Sequence, residues 1–135
     1  MGSTGGKRQK KKKTLKNYIS WFEIPVINFQ QAITFYNTIY SIDMEVTANQ
    51  EYTMAFFPAD KGIGGALISG PGSTPSEKGP LLYLNGGNDL NKVLEKIGPA
   101  GGRVIMPKTL ISEESGYFAI FIDTEGNKLA LHSNN

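Results

Sequence analysis

The chain has no cysteine among its 135 residues, which excludes disulfides, thiolate metal sites and a cysteine nucleophile together. Histidine occurs once, at His132. Its neighbour Ser133 is adjacent only along the chain, so no nucleophilic triad is arguable. No apolar run approaches the ~20 residues that a membrane span needs, and no membrane contact is expected. The basic start of the chain is followed by neither an apolar stretch nor a small-residue cleavage site, which argues against a secretory signal and for a cytoplasmic protein. Nothing resembles a phosphate-binding loop. Gly62, Gly64 and Gly65 precede no helical pattern and read as turn and bulge devices.

What is present divides unevenly along the chain. The formal net charge of +2 conceals a basic head, because Lys7, Arg8, Lys10, Lys11, Lys12, Lys13 and Lys16 are seven of the 14 basic residues. From Asn17 onward seven basic residues face all 12 acidic ones, a net of −5, so this part has no general affinity for polyanions. Any nucleic-acid contact would rest on residues 1–16 alone. That segment, with its Gly-Ser-Thr-Gly-Gly start, reads either as a disordered solvated tail or cloning remnant, or as an electrostatic tether to nucleic acid or an acidic partner. A 39% hydrophobic, 19% charged composition and this length suit a single globular domain.

An internal repeat organises the rest. ISWFEIPV (19–26) has the aromatic and β-branched content of a strand. Asn28 then offers a helix cap before Phe29, Ala32, Ile33, Tyr36 and Tyr40, one apolar stripe at helical spacing. The pattern returns 61 residues later: LLYLN (81–85) as a strand, Asn88 or Asp89 as cap, then Leu90, Val93, Leu94 and Ile97. Downstream, AFFPADKGIGGALIS (55–69) aligns with AIFIDTEGNKLALHS (119–133) at a shift of 64, with six identities in fifteen positions. Each copy reads as a hairpin around a glycine-containing turn. A strand before each hairpin, near Met44 to Val46 and Arg103 to Met106, completes βαβββ twice. The expected organisation is a basic tail over 1–16 and one α+β domain over 17–135. Module one covers about 17–70, a linker about 70–79, and module two about 80–133, the two forming a curved mixed sheet around a cleft.

WFEIPVINFQQAITFYNTIY (21–40), with its Phe35-Tyr36 pair, and GGRVIMPK (101–108) followed by GYFAIFIDTEGNKLALHS (116–133), with Asp123, Gly126 and Asn127 in its turn, resemble the vicinal-oxygen-chelate superfamily of glyoxalases, bleomycin-resistance proteins and dioxygenases. The resemblance covers about 115 residues and implies that family's fold. Enzymes of the family place a His or Gln on the first strand of a module and a Glu on its last strand, converging on one divalent metal. Carried onto this chain, those positions hold Trp21, Ala66 and Ala130, with an apolar stretch at Pro80 to Leu82 on the fifth strand. None can bind a metal, so no metal and no cofactor are expected.

Strand parity puts Trp21 and Glu23 on one face, with Phe22, Ile24 and Val26 behind them. Lys128, Ala130 and His132 share a face on the last strand. Trp21, Tyr83 and Lys108 are the candidate ligand contacts. Glu23 and His132 are the candidate catalytic pair. Each has a structural alternative: Trp21 as core or dimer interface, Glu23 as a surface residue if the register slips by one, His132 as a solvated terminal residue, and Lys108 as a solvated residue entering a loop after Pro107. The leading expectation is a metal-independent small-molecule-binding protein, a homodimer as the resemblance implies. The alternatives are a lactoylglutathione-lyase-like lyase or isomerase using Glu23 as base with His132, and an interaction protein working through the basic tail.

Overall fold

A computed structural model describes residues 12–135, so most of the basic segment expected over 1–16 lies outside the described residues. Ten elements follow in order: β1 (Trp21–Pro25), α1 (Phe29–Tyr40), β2 (Glu45–Ala48), β3 (Thr53–Phe57), β4 (Gly64–Ser69), β5 (Tyr83–Asn85), α2 (Leu90–Ile97), β6 (Arg103–Ser112), β7 (Gly116–Ile122) and β8 (Lys128–Ser133). This is βαβββ twice, an α+β fold. Each unit makes its own four-stranded mixed sheet, in the orders β1-β4-β3-β2 and β5-β8-β7-β6. Within each sheet the first and last strands of the unit run parallel and the remaining pairs antiparallel. None of the described helices is long and apolar enough to cross a membrane.

Local chemistry starts both helices where the sequence places them. The Asn28 side chain accepts the Gln31 N–H at 3.2 Å, and that of Asp89 accepts the Asn91 N–H at 3.0 Å. Each cap satisfies one of the orphan donors of a first turn, a gain of about 1 kcal/mol. The helical stripes lie against one face of the sheets. Ala32, Ile33, Phe35, Tyr36 and Ile39 of α1 are buried with Leu90, Val93 and Ile97 of α2, and they join Ile24, Ala55, Leu67, Ala119, Phe121, Leu129 and Leu131 in one apolar cluster. Strand alternation sends the other residues to the opposite, helix-free face.

Three local features differ from expectation. Strand β6 continues to Ser112, so Lys108 lies within a strand and not at a loop entry. Pro107 does not end the strand because β6 is a sheet edge whose register shifts between Met106 and Thr109, where no N–H is required of it. Gly64 and Gly65 are strand residues, not turn or bulge devices. Gly64 lies beneath the Trp21 ring, where an added Cβ would be 3.1 Å from the ring, and Gly65 lies so close to the Phe22 ring that a Cβ would overlap it.

No ladder joins the two sheets; a buried polar network does. Asp123 accepts the N–H groups of Glu125 and Asn127 at 2.8 and 2.9 Å, the Tyr36 hydroxyl at 2.8 Å and the Asn127 amide at 3.2 Å. Asn127 donates in turn to the Pro25 carbonyl at 2.7 Å. Glu125 accepts the N–H groups of Ile27 and Asn28 at 2.5 and 2.7 Å. The turn between β7 and β8 thus clasps the junction of β1 and α1 in the other module. Burial, and then the nearby Asp123 charge, holds the Tyr36 hydroxyl well above the usual phenol range, so it stays a donor to the carboxylate.

The linker after β4 also departs from simple pairing. Lys128 N–H donates to the Ser76 carbonyl at 3.4 Å and Ala130 N–H to that of Leu82 at 2.9 Å. Three residues of β8, 128–130, therefore face seven, 76–82, and residues 77–81 loop out from the sheet edge.

Candidate functional site

The register of the central strands builds two similar arrangements on the helix-free face. In the first sheet Glu23 pairs with Ala66, which pairs with Phe56. In the second Tyr83 pairs with Ala130, which pairs with Ile120. Small residues on β4 and β8 allow aromatic rings to reach across from the flanking strands. Trp21 and Phe56 have ring centroids 6.0 Å apart, and Tyr83 and Phe118 6.3 Å. Both are tilted pairs of the kind that adds about 0.5–1.5 kcal/mol beyond burial. The rings remain accessible, Trp21 at 43% and Tyr83 at 55% exposure. They leave an aromatic surface over wholly buried Ala66 and Ala130.

Polar groups are distributed around these rings. The Trp21 indole N–H donates to the Glu23 carboxylate at 3.3 Å, so the two are brought together as parity indicates. His132 pairs with Phe118 across β8 and β7. Its Nε2 lies 2.6 Å from the Ser115 carbonyl, and because a carbonyl only accepts, Nε2 carries the hydrogen. His132 is thereby tied to the turn between β6 and β7. Glu23 and His132 stand on different sheets with different partners, and the cavity that Glu23 lines does not include His132. Lys108 stands on β6, at the far edge of the second sheet, with its ammonium 4.5 Å from the centroid of the Tyr117 ring. Tyr117 packs against the core, so Lys108 is directed away from the aromatic surface.

Glu23 also lines a cavity of about 280 Å³ at the seam between modules, with Ile24, Pro25, Leu82, Lys128 and the linker residues Thr74 and Ser76. Parity alone groups Lys128 with Ala130. Its sharing a cavity with Glu23 depends on how the modules dock, and no sequence signal marks Thr74 or Ser76. A divalent metal does not fit the central positions. Ala66 and Ala130 have no donor atoms, and among the described residues no three of His, Cys, Asp or Glu come together as a possible ligand set, whereas such a site needs three or more donors.

The family model for the Glyoxalase/Bleomycin resistance protein/Dioxygenase superfamily matches residues 18–131. Among solved structures, a glyoxylase/bleomycin resistance protein/dioxygenase domain from Frankia sp. EAN1pec superposes with a TM-score of 0.70 at 17% identity, over 90% of this chain and 94% of that one. A glyoxalase I mutant from Zea mays gives 0.66 at 23% identity, over 84% of this chain but only 45% of the maize chain. TnmS3, an antibiotic binding protein from Streptomyces sp. CB03234, gives 0.59 at 22% identity, over 91% and 100%. No curated protein matches the chain by sequence at a significant level.

Proposed function

We propose that this chain, which belongs to the Glyoxalase/Bleomycin resistance protein/Dioxygenase superfamily, is a metal-independent protein that binds a small, flat, largely apolar molecule on its helix-free face. The observation that carries the reading is the pair Trp21–Glu23: an accessible indole whose N–H is held by a carboxylate, beside alanines where the family's enzymes hold ligands. An aromatic wall with one polar group is suited to stacking on a flat ligand and fixing its orientation. The likeness in fold to an antibiotic binding protein agrees with binding without chemistry. Glu23 and His132 stand on different sheets, and His132 does not line the cavity at Glu23, which favours the binding reading over the lyase alternative. Tyr83 belongs to the matching surface in the second module. We place the protein in the cytoplasm as a homodimer that leaves the Trp21 and Tyr83 surface open and covers exposed apolar side chains elsewhere, such as Met106 and Leu110.

Trp21 is the only tryptophan, which makes its emission a single-site reporter. Titration with the uncharged aromatic dye N-phenyl-1-naphthylamine should quench it saturably, with transfer to the dye, and chelator should change neither the quenching nor the melting temperature. Elemental analysis of untagged protein should find well under one metal per chain. A stoichiometric metal lost together with stability on chelation, or an emission that the dye leaves unchanged, would overturn the reading. Sedimentation showing only a species at the 14.7 kDa chain mass would remove the dimer.

A further inference from the structure

The cavity at the seam exists because of the looped-out linker. Ser76 and Leu82 bond to β8 as neighbouring strand residues would, and residues 77–81 swing outward between them. Gly79 and Pro80 of this loop, Glu23 to Pro25 of β1, and Lys128 and Leu129 at the start of β8 all line it. The volume of about 280 Å³ is near the lower end of the ~300–1,000 Å³ typical of small-molecule sites.

Its lining has a definite chemistry. Ile24, Pro25, Pro80, Leu82 and Leu129 are apolar, and just two side chains in the lining carry charge, Glu23 from β1 and Lys128 from β8. Asn127 is a fixed wall: its amide donates to Pro25 and Asp123, and its oxygen accepts the Ser76 N–H at 2.9 Å. Ser76 Oγ accepts the Lys78 N–H at 2.9 Å, which leaves its own hydrogen available to an acceptor beside Lys128. A lone anion in this space meets the Glu23 charge, and a lone cation meets Lys128. An uncharged apolar guest would strip water from both without replacing it. A molecule that carries both charges on groups attached to one carbon, with an apolar remainder, satisfies all three surfaces.

We infer that the seam cavity binds a small apolar zwitterion of the α-amino-acid class, with its ammonium at Glu23, its carboxylate at Lys128 and Ser76, and its side chain against Ile24, Leu82 and Leu129. The inference rests on the small-molecule-binding reading, because Glu23 serves both the aromatic wall and the cavity.

Calorimetric titration of the full chain with L-phenylalanine, 3-phenylpropionate and 2-phenylethylamine tests it, since the last two each lack one charge. L-Phenylalanine should bind about tenfold more tightly than either. Lys128→Met should remove that advantage over 2-phenylethylamine, and Glu23→Gln the advantage over 3-phenylpropionate, each in protein whose melting curve matches the parent. Leu82→Trp should fill the cavity and abolish L-phenylalanine binding. Equal affinity for all three probes, no binding of L-phenylalanine, or binding that survives both Lys128→Met and Leu82→Trp would overturn the inference. Saturable quenching of Trp21 by the dye in the same preparation separates this failure from failure of the parent reading, which would lose the dye signal as well.

Discussion

The two hairpin turns align on one shared glycine, Gly62 with Gly126, and have opposite fates. Between β3 and β4 the turn containing Asp60, Lys61 and Gly62 is exposed throughout. Between β7 and β8 the corresponding turn buries Asp123 and Asn127, at 4% and 5% exposure, and holds the modules together. Even the shared glycine differs. In the second turn Gly126 takes the left-handed conformation, φ +90°, whereas in the first Lys61 does so at φ 62° and Gly62 does not. A duplicated motif keeps its hairpin in both copies, but only the copy facing the β1–α1 junction has partners for its side chains. The asymmetry belongs to docking together with two turn residues, Asp123 and Asn127, whose counterparts in the first copy are Ala59 and Ile63.

Asp123→Ala is the most damaging test of that distinction. It leaves the Tyr36 hydroxyl and the Asn127 amide without a shared acceptor in a buried site, a loss of about 3–5 kcal/mol, to be read in urea denaturation. Asp60→Ala should change stability by no more than about 0.5 kcal/mol. Comparable losses in the two variants would break the comparison.

Tyr36→Phe removes one donor from the same carboxylate and should cost about 1–3 kcal/mol. It should also alter the alkaline limb of the stability profile. Below the ordinary phenol value of 10.0 both folded and unfolded states keep the proton, and the contribution is complete. Above it the unfolded chain ionises first while folded Tyr36 stays protonated, so stability falls as pH rises. Tyr40, whose hydroxyl donates to the Asn85 carbonyl at 2.7 Å and is raised by burial, acts in the same direction. Tyr36→Phe should therefore lose stability less steeply above pH 10 than the parent; parallel alkaline limbs would show that this tyrosine does not contribute.

The smallest effects separate the two glycines. Gly126→Ala forces an L-side chain into the left-handed region and should cost about 1–2 kcal/mol. Gly62→Ala meets no atom within 4 Å and no such strain, so it should be neutral or stabilising by up to about 1 kcal/mol through the unfolded state. Thermal melting of the pair decides it, and a larger loss at Gly62 would reverse the assignment.

Much of the architecture is legible in the sequence because it is local. Helical stripes, caps at Asn28 and Asp89, and hairpins around turn residues are written within a few positions of each other, and the βαβββ repeat follows from them. Trp21 with Glu23 follows from parity on one strand. What cannot be read there depends on how separate segments dock. Asp123 and Asn127 look like ordinary turn residues until Tyr36, 87 positions away from Asp123, reaches one of them. Lys128 lines a cavity with Glu23 only because the modules meet, while Lys108 and His132 are claimed by Tyr117 and Ser115. Pro107 suggests a strand end because its missing N–H matters in a paired ladder, and it does not matter at a bulged edge.

That bulged edge has a consequence for solubility. Strand β6 is ten residues long, lies at the border of its sheet, and exposes Val104, Ile105, Met106, Leu110 and Ile111, the profile of a strand that recruits others into aggregates. Its register breaks three times, between Val104 and Met106, Met106 and Thr109, and Leu110 and Ser112, and Pro107 removes a donor in the middle. An incoming strand therefore finds only short regular stretches to pair with. The irregularity that hides this strand's length from the sequence also leaves its apolar edge a poor template for a fibre.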